Sequence, residues 1–421
     1  MKERGEIVHM ETQELREIVN PVFNTAKSCV QLVAASGDKD AQRLLEELHF
    51  EPFGSKVSAR PVPQEMVERV KRLFPAYSVL VESRFQTMNR MIESRKETQI
   101  VDLPCGYTSR GIRLSREGRI YFGFDLPAVI DAIRPAVEHI IGKNDRITYH
   151  AADATNYDSL ESPFSEANRN FLITTEGLLM YFSQPELEEV FRNTHRLLKK
   201  FGGSWMTADR AYFLHDSEVI SASLNHDAQM TAMFEAVTSK AAGSTADVKL
   251  NDNVFFDPDD EKVKSFISRM GFDVKEIPMV DYLPETFGFV SGDADGAVRE
   301  VFRKMFFWEL TVKEESSESF VEEKPFSVSM SVSGTTLKGS ITGRMDTLTA
   351  PELLKKFQEV TDPIDAIEMD VSDMAYISSA GLRVLLIMYK SLRDKSKFKL
   401  NGVRKEIQEI LETTGFDQFF L

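Results

Sequence analysis

Apolar and polar positions along this chain follow two different periods, and the change of period divides it. Residues 11–95 read as helical: "DAQRLLEELHF" and "QEMVERVKRLF" place apolar residues three and four apart, which lines one face of a helix. From residue 99 short apolar runs take over and predict strands at "QIVDL", "IYFGFDL", "ITYHAAD", "NFLITTE" and "GSWMTAD", alternating with helices. The helix "QPELEEVFRNTHRLLKK" between the last two is well marked. Ser183 and Glu186 form a capping-box pair at its start, and Leu187, Val190, Phe191, Thr194, Leu197 and Leu198 make its inward stripe. Strands alternating with helices at this spacing imply a parallel sheet covered on both faces.

The pattern lapses at "VKEESSESFVEEKP", residues 312–325, which is Ser- and Glu-rich, poor in apolar residues and closed by a proline. It divides the chain into a domain over 1–312, with a helical part over 1–95, an acidic linker over 313–324, and a small domain over 325–421. The small domain opens with two alternating strands and a helix in "FSVSMSVSGTTLKGSITGRMDTLTAPELLKKF". An apolar strand, a Ser-Ser turn and a helix with Leu382, Leu385, Leu386, Tyr389 and Leu392 inward follow. "KFKLNGV" and "EIQEILETTGFDQFF" add a strand and a helix. No internal repeat is evident.

Composition changes this picture little. At 421 residues the chain exceeds one ordinary core, and 42% apolar with 28% charged residues is normal for a globular protein. The net charge of −15 disfavours nucleic acid and anionic membranes as partners. Cys29 and Cys105 lie too far apart for a disulfide framework or a metal knuckle, so no metal is expected. The N-terminus lacks the apolar stretch of a signal peptide, and no apolar run approaches the ~20 residues that span a bilayer. A cytoplasmic protein without membrane insertion is the expectation.

The chemistry sits at the strand ends. Open parallel sheets bind ligands outside the carboxyl ends of their strands, and here Asp102, Asp125, Asp153 and Glu176 occupy those ends. Asp125 follows the first turn by about 20 residues, the usual place for an acid that accepts ribose hydroxyls. Asp102 is open to two readings, a helix cap or a ligand contact. The first turn, "LPCG", holds one glycine, Gly106, beside Pro104 and Cys105. A dinucleotide needs more glycines so that backbone amides approach its pyrophosphate. A ligand without phosphate makes a weaker demand, and an acid-rich site suits a cation. S-adenosylmethionine is such a ligand. Cys105 reads as a small turn residue, and His195 as a structural one on a helix facing away from the strand ends.

"VDLPCGYTSRGIRL", "YFGFDLPAVI", "AADATNY" and "ITTEGLLMYF" together resemble the leucine carboxyl methyltransferase family, a branch of the class I S-adenosylmethionine-dependent methyltransferases. That family carries a glycine-rich loop followed by D-T-R, an E-x-D-x-P strand end, an Asp after the third strand and an E-G-x-x-x-Y strand end. The similarity spans roughly residues 75 to 210. It implies a Rossmann-like α/β fold with S-adenosylmethionine as cofactor. By its pattern Asp125, followed by Leu126, would bind the ribose, and Asp153 with Ala154 the adenine. Glu176 would lie beside the methionine portion, with Pro104 and Gly106 in the loop beneath it. Arg84 would hold the cofactor carboxylate, and Tyr181 would neighbour the methyl group. Two positions depart from the pattern: Pro104 replaces the first loop glycine, and Thr108 or Ser109 replaces the loop Asp. An ionised carboxylate acceptor needs no general base, whereas a hydroxyl would need one, and the sequence nominates none.

"GRMDTLTAPEL", "DVSDMAYISSAGLRVLL" and "LETTGFDQFF" closely resemble the STAS domain of sulfate transporters and anti-sigma-factor antagonists, over about residues 325–421. The antagonists read D-S-S-G-L at the turn and are phosphorylated on the second serine. Ser378, Ser379, Ala380, Gly381 and Leu382 align here, so Ala380 takes the acceptor place, and Ser379, with Ser378 before it, stays as a neighbouring hydroxyl open to phosphorylation but not requiring it. Ser379 also reads as a helix N-cap. The leading expectation is an O-methyltransferase acting on a carboxyl or hydroxyl acceptor, small molecule or protein, whose STAS domain docks a protein partner or senses a state. The alternatives are a non-catalytic signalling protein of the antagonist type that only binds the ligand, and an assembly platform.

Overall fold

The computed structural model describes residues 23–50, 64–165, 167–232, 253–313 and 324–420. Residues 314–323 of the expected linker, and the start of the expected helical region, lie outside them.

Three helices, α1 (Phe23–Ala35), α2 (Lys39–Leu48) and the long α3 (Gln64–Ser94), precede the sheet. The alternating part then runs β1 (Gln99–Asp102), α4 (Arg110–Arg116), β2 (Ile120–Asp125), α5 (Pro127–Ile141), β3 (Ile147–Ala151), α6 (Tyr157–Glu161), β4 (Phe171–Thr175), α7 (Gln184–Phe201) and β5 (Gly203–Thr207). All five expected strands form. After α8 (Asp209–Ser223) and α9 (Asp260–Arg269) come β6 (Phe272–Pro278), α10 (Asp293–Phe302) and β7 (Phe306–Val312), for which the sequence offered no expectation. Among the described residues the sheet has seven strands in the order β3-β2-β1-β4-β5-β7-β6. The first five are parallel, and β7 runs antiparallel between β5 and β6.

Both faces of this sheet are buried along its central strands, and successive residues serve opposite faces as the pleat requires. Ile100, Tyr121, Leu172, Met206 and Phe307 point into one apolar cluster with α3 and α5. Their neighbours Val101, Phe122, Ile173, Trp205 and Trp308 point into another with α7 and α9. The predicted stripe of α7 is buried in full, and its capping box forms, the Ser183 amide donating to Glu186 Oε2 at 2.9 Å. His195 packs edge-on against Phe272 at 5.4 Å between ring centres, as a structural residue does. The chain leaves β1 toward β2 on one side and returns from β3 to β4 on the other. The carboxyl ends of β1 and β4 therefore flank the crevice where such sheets bind ligands.

The small domain has its own sheet, β11-β10-β9-β8, built from β8 (Ser327–Ser333), β9 (Thr336–Met345), β10 (Ala366–Ile377) and β11 (Phe398–Asn401). Helices α11 (Ala350–Gln358), α12 (Ser379–Ser391), α13 (Lys405–Thr414) and α14 (Asp417–Phe420) accompany it. Leu382, Leu385 and Leu392 are buried and Leu386 and Tyr389 half-buried, all in one apolar cluster drawn from residues 326–420 alone. The expected pair of α/β domains is thus what the chain forms. Among the described residues no helix is long and apolar enough to cross a membrane.

Candidate functional site

A buried ion cluster underlies the crevice. Asp102, at the end of β1, accepts from Arg110 Nη1 at 2.8 Å on both oxygens, from Tyr121 Oη at 2.9 Å and from Thr174 Oγ1 at 2.9 Å. Its lone-pair positions are filled by protein donors. It is neither a helix cap nor a free acceptor but an anchor for Arg110. That guanidinium also donates from Nη2 to both Glu176 oxygens at 3.1 Å and from Nε to Asn89 Oδ1 at 2.8 Å. Arg110 is 1% exposed, and a charge so enclosed is stable only when paired on every side. Sequence reasoning did not single it out. The available signal was its place in "TSRG", where the family pattern has the arginine of D-T-R.

Asp125 closes β2. Its Oδ2 accepts the Gly106 amide and its Oδ1 the Leu126 amide, each at 2.7 Å. The Gly106 amide reaches it because Gly106 adopts φ +51°, a left-handed conformation open to glycine. Burial pushes the Asp125 carboxyl up to about 7, the two amides pull it down, and Asp102 pushes it up again. The Leu103–Pro104 peptide is cis. Cys105 is fully buried, and burial with Asp125 and Asp102 nearby raises its thiol well above the ordinary range, which leaves it protonated and inert. Of the two loop residues that replace the family Asp, Ser109 Oγ donates to Asp38 Oδ1 at 3.3 Å, whereas Thr108 Oγ1 is buried with no hydrogen-bond partner among the described residues.

Glu176 follows β4. Burial raises its carboxyl, against the pull of Arg110 and Arg84. Arg84 reaches across from α3. Its Nη2 lies 4.0 Å from Cys29 Sγ, and its guanidinium sits 5.9 Å from the Tyr212 ring centre. A Cβ on Gly177 would fall 3.2 Å from Arg84 Nη1, so glycine leaves room for the arginine. The turn after Glu176 is held by Asp209, another strand-end acid that the sequence reading passed over. Its carboxylate accepts the amides of Gly177, Leu178 and Leu179 at 2.5, 3.0 and 2.8 Å. Tyr181 ends the single 3-10 turn, Leu179–Tyr181, that follows. The structure thus brings Gly106 beside Asp125, and Arg84 beside Glu176.

Asp153 has a different neighbour. Its Oδ1 accepts from the amide and hydroxyl of Thr155 at 2.8 and 2.7 Å, and its Oδ2 accepts the Thr347 amide of the small domain at 2.8 Å. Ala154 beside it is buried, its carbonyl accepting Asn193 Nδ2 at 3.0 Å. The domain contact extends from there. Arg344 Nη2 donates to the Thr155 carbonyl at 2.8 Å and pairs with Glu189 at 3.3 Å. Asn156 Nδ2 donates to Asp346 Oδ2 at 2.8 Å. The Ser379 amide donates at 2.7 Å to Glu186 Oε1, the second oxygen of the α7 capping box. Ser379 is therefore the first residue of α12 and not its N-cap. That place belongs to Ser378, whose Oγ accepts the Gly381 amide at 3.4 Å.

Residues 328–421 match the family described as "Mlab, STAS domain". No curated protein matches the chain. Among solved structures, an anti-sigma factor antagonist from Mycobacterium paratuberculosis is 24% identical over 24% of this chain and 87% of its own, with a TM-score of 0.22. An O-methyltransferase family protein from Burkholderia thailandensis is 14% identical over 66% of this chain and 69% of its own, with a TM-score of 0.32. Magnesium protoporphyrin IX methyltransferase from Synechocystis, solved with bound S-adenosylhomocysteine, is 9% identical over 66% of this chain and 96% of its own, with a TM-score of 0.30.

Proposed function

We propose that the large domain is an S-adenosylmethionine-dependent O-methyltransferase of the leucine carboxyl methyltransferase type, working in the cytoplasm. Its acceptor is a carboxyl or hydroxyl group on a small molecule or a protein, and the STAS domain serves as its docking module. One observation carries the reading: Asp125 and Glu176 stand with the left-handed Gly106 loop and Arg84 around the crevice at the topological switch. The donor set fits the cofactor. Asp125 is fixed by one amide on each oxygen, which leaves each a second lone pair for a vicinal diol. Thr108 Oγ1 is a buried hydroxyl that a ligand polar atom would satisfy. Arg84 supplies a cation for the carboxylate of an amino-acid tail, and Glu176 an anion for its ammonium. Pro104 in the loop and Leu126 beside Asp125 border the nucleoside, and Tyr181 the methyl group.

The bound cofactor supplies an electrophilic methyl on a sulfonium. The chain's own work is placement and exclusion of water. Arg110 and Asp209 fix Glu176 and the turn after it, so the site is rigid before the ligand arrives. A carboxylate acceptor then needs no base, and none of the residues around the crevice is assigned as one. A second reading, ligand binding without turnover, is favoured by the loop's departures from the family pattern at Pro104 and at Thr108 or Ser109.

Calorimetry on the full chain tests the first step. S-adenosylhomocysteine binds, and Asp125→Ala weakens it by about 1.5–3 kcal/mol, the worth of hydrogen bonds to a charged group. Absence of binding at millimolar ligand refutes both readings. Transfer of labelled methyl to a host extract separates them, since only the enzyme reading allows it.

A further inference from the structure

We infer that the STAS domain and the adenine end of the nucleoside compete for Asp153, so that docking of one domain on the other gates the ligand site. The inference rests on the cofactor reading above and adds its regulation. In the docked arrangement Asp153 is 3% exposed and Ala154 6%, too enclosed for a base to reach. Asp153 Oδ1 is saturated by Thr155, and Oδ2 accepts the Thr347 amide; the second lone pair of Oδ2 is shut in by the burial of the residue, not by a further donor. A purine amino group that uses this carboxylate must displace the loop carrying Thr347. That loop does not move alone. Arg344 and Asp346 tie it to Thr155, Glu189 and Asn156, and the start of α12 is tied to Glu186. Displacing Thr347 therefore strains the whole contact.

The contact also uses the end of the STAS domain where the Ser-Ser turn lies. The Ser379 amide is held by a carboxylate of this same chain, so the turn faces an intramolecular partner. A partner protein that takes this face would free Asp153. Binding of such a partner and of an adenosine ligand then reinforce each other, because coupling between two sites is reciprocal.

Two measurements on the full chain test this, with S-adenosylhomocysteine as the probe. Arg344→Ala removes two anchors of the contact and touches no residue assigned to the ligand. It is expected to tighten binding by at least about fivefold, the lower end of ordinary coupling energies. In the unaltered protein, saturating ligand is expected to speed hydrogen exchange at the amides of Thr347 and Ser379, which are bonded across the contact. If the ligand binds but slows exchange there, or leaves it unchanged, the competition is overturned while the cofactor reading stands. Equal affinity of Arg344→Ala and the unaltered chain has the same meaning. If neither protein binds the ligand, the cofactor reading falls and takes this one with it.

Discussion

Replacing Arg110 by methionine removes the one cation that Asp102 and Glu176 share. The guanidinium makes five hydrogen bonds, two to Asp102, two to Glu176 and one to Asn89, at 2.8–3.1 Å. Removing one partner of a buried ion pair costs about 3–5 kcal/mol, because the other charge stays buried without compensation. Two carboxylates are orphaned here, but Asp102 keeps Tyr121 and Thr174, and Glu176 keeps Arg84 nearby. The expected loss is about 4 kcal/mol at pH 8, or roughly 6–7 °C in Tm for a domain of this size. Denaturant unfolding followed by tryptophan fluorescence reads it cleanly, since Trp205 and Trp308 both lie in the large sheet and are buried. The sign of the pH dependence follows from Glu176, whose carboxyl burial already raises above its ordinary 4.5 and which loses the pull of Arg110 in the variant. A carboxyl with a raised folded-state pKa contributes stability that is present below its unfolded value and lost as pH rises through the folded one. The deficit should therefore shrink between pH 8 and pH 5. A loss below about 1 kcal/mol, or one that is the same at both pH values, would show that Arg110 does not hold these two charges.

Ligand affinity should itself depend on pH. If Asp125 is the ribose acid, the ribose hydroxyls donate to its ionised form, and because burial raises its carboxyl to about 7, S-adenosylhomocysteine should bind more tightly at pH 8 than at pH 6; a flat profile in calorimetry would count against that role. Residues 325–421 should unfold cooperatively as a fragment, because their apolar cluster includes no residue of the large domain; a disordered amide spectrum would disprove that autonomy. Ser378→Ala should lower the stability of that fragment by about 1 kcal/mol through loss of the α12 cap, and Ser379→Ala by less; the reverse order in urea melts would reassign the cap.

The first five strands were legible because each is a short apolar run closed by an acid, and a parallel strand with both faces buried leaves that trace. The helix α7 was legible through its cap and stripe. Strand β6 was not, since Asp273, Lys275 and Glu276 are exposed in it, and β7 is a lone apolar run that periodicity cannot assign without its partners. At the site, Asp125 and Glu176 could be read from their strand ends. Arg110 and Asp209 were passed over although the loop pattern and a strand end mark them, because the bonds that give them weight at the site run to partners 66 and 32 residues away. The N-cap was misplaced by one residue because two adjacent serines carry the same hydroxyl, and only backbone geometry chooses between them. The domain contact left no trace either, since Thr347 and Ser379 contribute backbone amides, and Arg344 and Asn156 find their partners 189 and 190 residues away.

Among the described residues no apolar cluster spans the two domains, and the bonds between them are amide, carboxylate and guanidinium contacts. Heat capacity follows from that. Exposing apolar surface raises heat capacity by about 0.45 cal/K/mol per Å² and exposing polar surface lowers it by about 0.26, so separating these domains changes it little, whereas unfolding either one changes it a great deal. The separation equilibrium should then give a nearly straight van't Hoff plot. Each domain's own stability passes through a maximum near ordinary temperatures, while the balance between the docked and separated chain drifts steadily in one direction on warming.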